Sequence, residues 1–482
     1  MHLDLDADGP QYLQLSRAIR SAVQQGRLAS GTRLPPTREL AQTLGLARNT
    51  VRAAYEHLGA QGLVEGRVGA GSYVHANGRD SAPANGAPAL ALLPGATPAP
   101  SAYARRAREL LREFPAWRRH LGVRYSLQYG EPFADALLPE QWRNALARAA
   151  LYTPMGYPAM AGVPALREQV CKYLRSRRAV DASPDQVLIV AGTQQALALA
   201  ARVLLDEGDT AVVEDPGYFS ARHTFLAHGA RLVGVPVDKS GLVVDELPER
   251  RPGLVFVTPS HQFPLGAVMS QRRRQELLRY AARHDTWIVE DDYDAEIRYD
   301  SRQVAALKAM DRQDRVIFVG SFSKVLAPSI RLAYMVLPAA LREDFVTAKR
   351  LMDMGCPAIE QAALAHFMET GAFERHLRRV VRALRARRNA LFSAMQQHGA
   401  DWLELHDSHA GMHVVGRLKG RVATRQAELI EAARLRGVGV YTLAQHYIRP
   451  PAQPGLLFGF AALSPSEIEV AARQLGRAAS EL

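Results

Sequence analysis

Two hydrophobic periods divide this chain. Between residues 11 and 25 the apolar positions Leu13, Leu15, Ile19, Ala22 and Val23 recur close to the helical period, so one face of a helix is buried. The same reasoning predicts a second helix over residues 38–44, capped by the Thr37 hydroxyl and broken at Gly45, and a third from about 48 to 59. Leu13, Leu40, Val51, Leu58 and Leu63 are the expected core of this head. Residues 62–74 then read as strand, Gly-rich turn and strand. From about residue 101 the pattern changes. Short runs at 187–190, 210–213, 254–257, 287–289 and 316–319 are apolar throughout and alternate with helical stretches. Strands without a polar face are buried on both sides, as in an α/β sheet. Between the two patterns, residues 77–102 are rich in Pro, Gly, Ala and Ser, which cannot bury a core and predict a flexible linker. No internal repeat is visible.

Composition narrows the class. At 482 residues the chain exceeds one ordinary core, and 48% hydrophobic with 22% charged residues describes a soluble globular protein. No apolar run is long enough to span a membrane, and Met1–Asp6 lacks the basic start and apolar core of a signal peptide, so a cytoplasmic location is expected. Two cysteines, Cys171 and Cys356, make neither a disulfide framework nor a metal site. A formal net charge of +12, carried mostly by arginine, suits a polyanionic partner.

The head supplies the groups that such a partner needs. Arg48, Asn49, Thr50 and Arg52 fall at the start of the third helix, where side chains reach base edges in a major groove. Arg38 opens the second helix and suits a phosphate, as does Arg33 in the preceding turn; Arg67 sits on the turn of the wing. The series Gly31-x-Arg33-Leu34-Pro35-x-x-Arg38-Glu39-Leu40-Ala41, Leu44-Gly45-x-x-Arg48-x-Thr50-Val51-Arg52 and Leu58-x-x-x-Gly62-Leu63-Val64 resembles the winged helix-turn-helix of GntR-type bacterial repressors over residues 10–76. The resemblance implies DNA contacts at Arg38, Arg48, Arg52 and Arg67. Ala47 departs from it, standing where serine often caps the recognition helix.

The second chemistry lies at Ser321-Phe322-Ser323-Lys324, just past an apolar strand, with Arg331 downstream. A lysine held among hydroxyls and a guanidinium is what pyridoxal 5'-phosphate (PLP) requires: an amine for a Schiff base and donors for a dianionic phosphate. Glu290-Asp291-Asp292-Tyr293-Asp294, past another strand, offers a carboxylate for the pyridine nitrogen and a phenol for the ring oxygen. Spacing alone does not separate Asp291 from Asp292. Gly192-Thr193-Gln194 follows a strand and opens a helix, a phosphate-binding arrangement, and Tyr218 can cover the ring.

In that order these segments resemble class I aminotransferases, PLP enzymes of fold type I. Thr258-Pro259-Ser260-His261-Gln262-Phe263-Pro264 and the acidic run at 290–294 resemble the MocR/GabR subfamily of GntR regulators, nearly end to end. The resemblance implies a multidomain chain: a winged helix-turn-helix at 1–76 (mainly α with a β-wing), the linker at 77–102, and an α/β aminotransferase-like body at 103–482. The body would divide into a large part at about 150–345 and a smaller α+β part at about 346–482. Lys324 would carry the Schiff base and Asp291 would face the pyridinium. Tyr293 would meet the phenol oxygen and Tyr218 would stack on the ring. Gly192, Thr193, Gln194, Ser321, Ser323 and Arg331 would lie round the phosphate, with His261 and Gln262 near the ring. Gly455-Leu456-Leu457-Phe458-Gly459-Phe460 matches the strand where aminotransferases hold a substrate carboxylate with arginine, and it has none; Arg449, just upstream, is the nearest effector-binding candidate.

The function implied is a PLP-dependent transcriptional regulator, a head-to-tail homodimer on operator DNA, sensing PLP or an amine or amino-acid effector. Its chemistry would be limited to residual transaminase half-reactions. The alternative is a working PLP aminotransferase that carries a DNA-binding head, and the missing carboxylate arginine argues against it.

Overall fold

The computed structural model describes residues 3, 5–6, 8–67, 70–75, 98–112, 122–131, 133, 140–294, 296–300, 304–406, 409–449, 451 and 453–482. The chain forms two compact units, Met1–Ala99 and Pro100–Leu482. Most of the expected linker falls at 76–97, outside the described residues.

The first unit holds helices α1 (Gln11–Gln24), α2 (Thr37–Leu44) and α3 (Arg48–Ala60), followed by the antiparallel strands β1 (Val64–Arg67) and β2 (Gly71–Val74), paired from Val64↔Val74 to Arg67↔Gly71. Leu15, Ile19, Leu40, Val51, Ala54 and Leu58 close the core, with Val64 and Val74 from the strands. Leu13 is half-buried and lies outside that core. The inward face of α1 is instead Leu15, Ala18, Ile19 and Ala22, which share one stripe. Thr37 is the first helical residue rather than the cap. Pro36 holds the cap position, and its apolar ring has no acceptor to make a side-chain cap bond. Gly45 ends α2 in the left-handed region at φ 64°, the conformation that costs glycine least.

The second unit is built in chain order from α4 (Ala102–Arg112), β3 (Tyr125–Ser126), α5 (Glu140–Tyr152), α6 (Pro164–Arg178), β4 (Val187–Val190), α7 (Thr193–Leu204), β5 (Thr210–Asp215), α8 (Phe219–Ala227), β6 (Arg231–Asp238), β7 (Gly241–Leu242) and β8 (Leu254–Val257). Then come α9 (Gln271–His284), β9 (Trp287–Asp292), β10 (Val316–Ser321), β11 (Ala333–Val336), α10 (Arg342–Asp353), α11 (Ala358–Glu369) and α12 (Ala372–Gly399). The remainder is β12 (Leu403–His406), β13 (His413–Leu418), α13 (Gly420–Thr424), α14 (Gln426–Leu435), β14 (Val438–Gly439), β15 (Tyr441–Thr442), β16 (Gly455–Gly459) and α15 (Pro465–Ser480).

An eight-stranded sheet runs β4-β11-β10-β9-β8-β5-β6-β7. The strands β10, β9, β8, β5 and β6 are mutually parallel, while β11 pairs antiparallel with both β10 and β4. Every apolar run singled out above is a strand of this sheet, and side chains of β10 alternate between its two faces. Ile317 and Val319 pack with Leu197, Phe225 and Phe345 on one side, whereas Val316 packs with Leu277 and Ala281 on the other. A four-stranded antiparallel sheet, β12-β13-β16-β15, lies in the C-terminal region, where α12 packs along α15. Ser464 and Glu467 form a reciprocal capping box at the start of α15. β3 pairs with β14, which brings residues 125–131 alongside the C-terminal segments. Among the described residues no helix is long and apolar enough to cross a membrane, and no cluster of metal-binding side chains forms. Cys171 and Cys356 are buried and free.

Candidate functional site

A cavity of about 450 Å³ opens at the carboxyl ends of β9 and β10, where open α/β sheets place ligands. Lys324 follows β10 into it. Its Nζ donates to the Gly130 carbonyl at 2.7 Å. Burial of the amine lowers its pKa, opposed by the nearby charges of Asp294, Glu131 and Asp291.

The geometry of β9 separates the two aspartates that spacing could not. Successive side chains on a strand point to opposite faces. Asp291 points into the cavity, and its Oδ1 is buried without a hydrogen-bond partner among the described residues. Burial, reinforced by the charges of Asp292 and Asp294, pushes its pKa up to about 8. Asp292 points away, where Arg178 at the end of α6 meets it, with Nη2 2.8 Å from Oδ1 and Nε 2.7 Å from Oδ2. Both side chains of that ion pair are 4% exposed, and Arg178 also donates to Ser260 Oγ at 2.6 Å.

At one end of the cavity Thr193 and Gln194 open α7 beside Ser321, Ser323 and Arg331. Arg331 Nη2 donates to the Ala191 carbonyl at 2.6 Å, so the guanidinium lies across Gly192. A Cβ at Gly192 would stand 2.8 Å from that nitrogen, and its φ of 96° also favours glycine. The first backbone N–H groups of α7 have no partner within the helix. With the guanidinium and hydroxyls they gather donors of the kind that could hold a phosphate.

Tyr218 precedes α8 at its cap position and lines the cavity, edge-on to Phe263 with ring centres 5.8 Å apart. Tyr293 places its hydroxyl 3.0 Å from His261 Nδ1, and the same nitrogen lies 2.9 Å from Asp294 Oδ2. His261 and Gln262 therefore stand behind the wall rather than on it. Gln262 is fully buried and committed to its own turn, donating to the carbonyls of Pro216 at 2.8 Å and Phe263 at 2.7 Å and accepting from Leu265 N at 3.1 Å. Arg449 is exposed and is not among the cavity residues. Just before it, Ile448 N donates to Asp215 Oδ1 at 2.8 Å.

Several wall residues carried no local signal in the sequence. Gln128, Tyr129 and Glu131 arrive through the β3–β14 pairing, and His413, Tyr441 and Gln445 come from the C-terminal region. Burial pushes His413 down to about 4, which keeps it neutral, and its Nε2 lies 3.0 Å from the Pro264 carbonyl. Glu214, fully buried at the end of β5, is pushed up to about 7 by burial and accepts from Thr258 Oγ1 at 2.6 Å.

In the first unit Arg48, Asn49 and Arg52 are exposed along the first turns of α3, with Thr50 half-buried beside them and Arg38 exposed near the start of α2. Ala47 leaves the start of α3 without a side-chain cap. Arg33 pairs its backbone with Tyr73 and lays its guanidinium against Gly71. Arg67 stacks over the Tyr73 ring at 4.9 Å and lies 3.7 Å from Glu65. Val68 and Gly69, at the tip of the wing, lie outside the described residues.

Two family models match the chain: bacterial regulatory proteins of the gntR family over residues 11–74, and aminotransferase class I and II over residues 126–475. The chain is 37% identical to the probable rhizopine catabolism regulatory protein MocR of Rhizobium meliloti, covering 96% of this chain and 92% of that protein. It is 30% identical to the pyridoxine biosynthesis transcriptional regulator PdxR of Corynebacterium glutamicum, covering 93% and 91%. Among solved structures it resembles LysN, an α-aminoadipate aminotransferase from Thermus thermophilus crystallised with N-(5'-phosphopyridoxyl)-L-leucine. The TM-score is 0.70 at 27% identity, over 79% of this chain and 97% of that one.

Proposed function

We propose that this chain, which belongs to the MocR/GabR subfamily of GntR-type transcriptional regulators, senses a small amine through pyridoxal 5'-phosphate held on Lys324 and converts that event into a change in operator binding. The observation that carries the cofactor assignment is Asp291: a buried carboxyl with an unpartnered oxygen, its pKa raised to about 8, on the cavity wall with Lys324. A buried polar atom without a partner is costly, and a pyridinium N–H would satisfy it. Arg331, Ser321, Ser323 and the start of α7 would hold the phosphate, and Tyr218 would cover the ring. His261 and Asp294 fix the Tyr293 hydroxyl where it can donate to the ring oxygen. Bound there, the cofactor supplies an aldehyde that captures primary amines and an electron-withdrawing ring.

In the head, Arg48, Asn49, Thr50 and Arg52 would read base edges, while Arg33, Arg38 and Arg67 would bind phosphates or the minor groove. For the effector to matter, it must bind one arrangement of the protein more tightly than another. A homodimer supplies two heads for two half-sites. Its support here is a run of exposed apolar side chains on the body: Leu151 at 78%, Tyr152 at 73%, Met155 at 90% and Tyr157 at 84%. Exposed apolar side chains gathered on a folded body mark an interaction surface. Operator reading places the protein in the cytoplasm, on the nucleoid when bound.

The test combines colour and DNA. The purified protein should absorb in the visible, and Lys324→Ala should lose that band while keeping the far-ultraviolet signature of a folded chain. The wild type should shift an operator fragment and show no sustained turnover with amine and keto-acid mixtures. A colourless wild type under excess PLP would sink the cofactor assignment. Steady transamination without operator binding would replace the regulator by an enzyme.

A further inference from the structure

The cavity is electrically lopsided. Among its described lining residues the cations are Arg331, which is bound to the Ala191 carbonyl across Gly192 and belongs to the phosphate cradle, and Lys324, the anchoring amine. His413 stays neutral through burial. Arg222, from α8, donates to the Gln445 carbonyl at 3.0 Å and is not part of the wall. Beside that amine the wall carries Glu131, next to the Gly130 carbonyl that holds Lys324, and the same cavity is lined by two hydrogen-bonded pairs of neutral polar side chains. Gln445 Nε2 donates to the Tyr129 hydroxyl at 2.6 Å, and the Tyr441 hydroxyl donates to Gln128 Oε1 at 3.0 Å. Asp294 adds a second carboxylate near the anchoring lysine.

This distribution selects against one class of ligand. An amino acid entering with its amine towards Lys324 would bring its carboxylate close to Glu131 and Asp294, and the described wall offers it no cation besides the anchoring amine and the arginine of the phosphate cradle. Like charges at short range in a partly desolvated cleft repel strongly. A cationic amine is drawn to the same carboxylates. A hydroxyl, which both donates and accepts, matches the amide and phenol groups of the two pairs. Resting on the reading that the cavity holds PLP, we infer that the effector is a primary amine without an acidic group, carrying a hydroxylated tail, and that Glu131 is the residue that discriminates.

Matched pairs of ligands test this directly: alanine against alaninol, leucine against leucinol, and 4-aminobutyrate against 4-aminobutanol. Each is titrated into the PLP-loaded full-length protein and followed by the change in visible absorbance. The amino alcohol of each pair should bind tighter by at least about tenfold. Glu131→Gln should shrink that ratio by improving the acid, while the absorbance before titration shows that the variant still carries cofactor. Acids binding as tightly as their alcohols would overturn the inference, as would a ratio unchanged in Glu131→Gln, or no response to any pair in a protein that is visibly loaded. A protein that never acquires the visible band fails the cofactor reading instead, so the two failures are distinguishable.

Discussion

Two arginines, one in each unit, stand in opposite surroundings. On α3 the Arg52 side chain is 67% exposed and lies 3.7 Å from its helical neighbour Glu56. In the body Arg178 is 4% exposed, and it meets Asp292 and Ser260 inside the protein. An exposed arginine contributes almost nothing to the fold and is available to a partner. A buried one is part of the fold, because removing it leaves an opposite charge alone in a low dielectric. The same residue type is therefore open to solvent in one unit and part of the architecture in the other, and only its surroundings tell which.

The largest expected effect tests that contrast. Arg178→Ala should destabilise the body by about 3–5 kcal/mol, because Asp292 is left buried and unpaired. Arg48→Ala should change stability by less than about 0.5 kcal/mol. Urea unfolding of both variants checks this, and equal losses would erase the distinction.

The next effect is a pH dependence of the cofactor-free protein. In the folded state Asp291 sits at about 8, above its ordinary value in the unfolded chain. The folded state therefore holds its proton over the pH range where the unfolded chain has lost it. The stability from this group is fully present below about pH 4 and is lost as pH rises towards 8, by an amount on the order of a few kcal/mol. Glu214 and Glu296, both pushed up to about 7 by burial, act in the same direction. Asp291→Asn should flatten the slope of unfolding free energy against pH; a slope unchanged in the variant would remove Asp291 as its source.

Smaller still, Arg48→Ala should narrow the gap between the correct and a substituted operator base by about 1–3 kcal/mol, read by gel shift on paired sequences. Arg38→Ala should weaken both sequences alike and lower the salt slope by about one. The smallest effect concerns folding of the head. Ala47→Ser would give α3 the side-chain cap it lacks and should raise the stability of that unit by about 1 kcal/mol, seen as a higher unfolding midpoint. No gain would mean that the start of α3 is held by its packing alone.

Much of the fold was legible because its signals are local. The five apolar runs became buried strands since a run without a polar face has nowhere else to go, and Gly45 ended α2 since the left-handed turn favours glycine. Lys324, Arg331 and the acidic run at the end of β9 were visible as chemistry placed at strand ends. Two local inferences gave way: Leu13 lies outside the head core, and Thr37 is inside the helix rather than at its cap. Both depended on a one-residue phase that neighbouring segments settle.

The sequence by itself determined the helices and wing of the head, five buried strands of the body in their order, and which lysine and carboxylates stand at the ends of strands. It did so because helical period, strand burial and turn chemistry act over a few residues. Only the tertiary structure decided which aspartate faces the cavity, that Arg178 neutralises the other, that His261 and Gln262 stand behind the wall, and that Glu131, Tyr129 and Gln128 share it with Tyr441 and Gln445. Those facts depend on which way a strand presents alternate side chains and on contacts between segments far apart in the chain, where burial sets the charge of each group and no local pattern records the outcome.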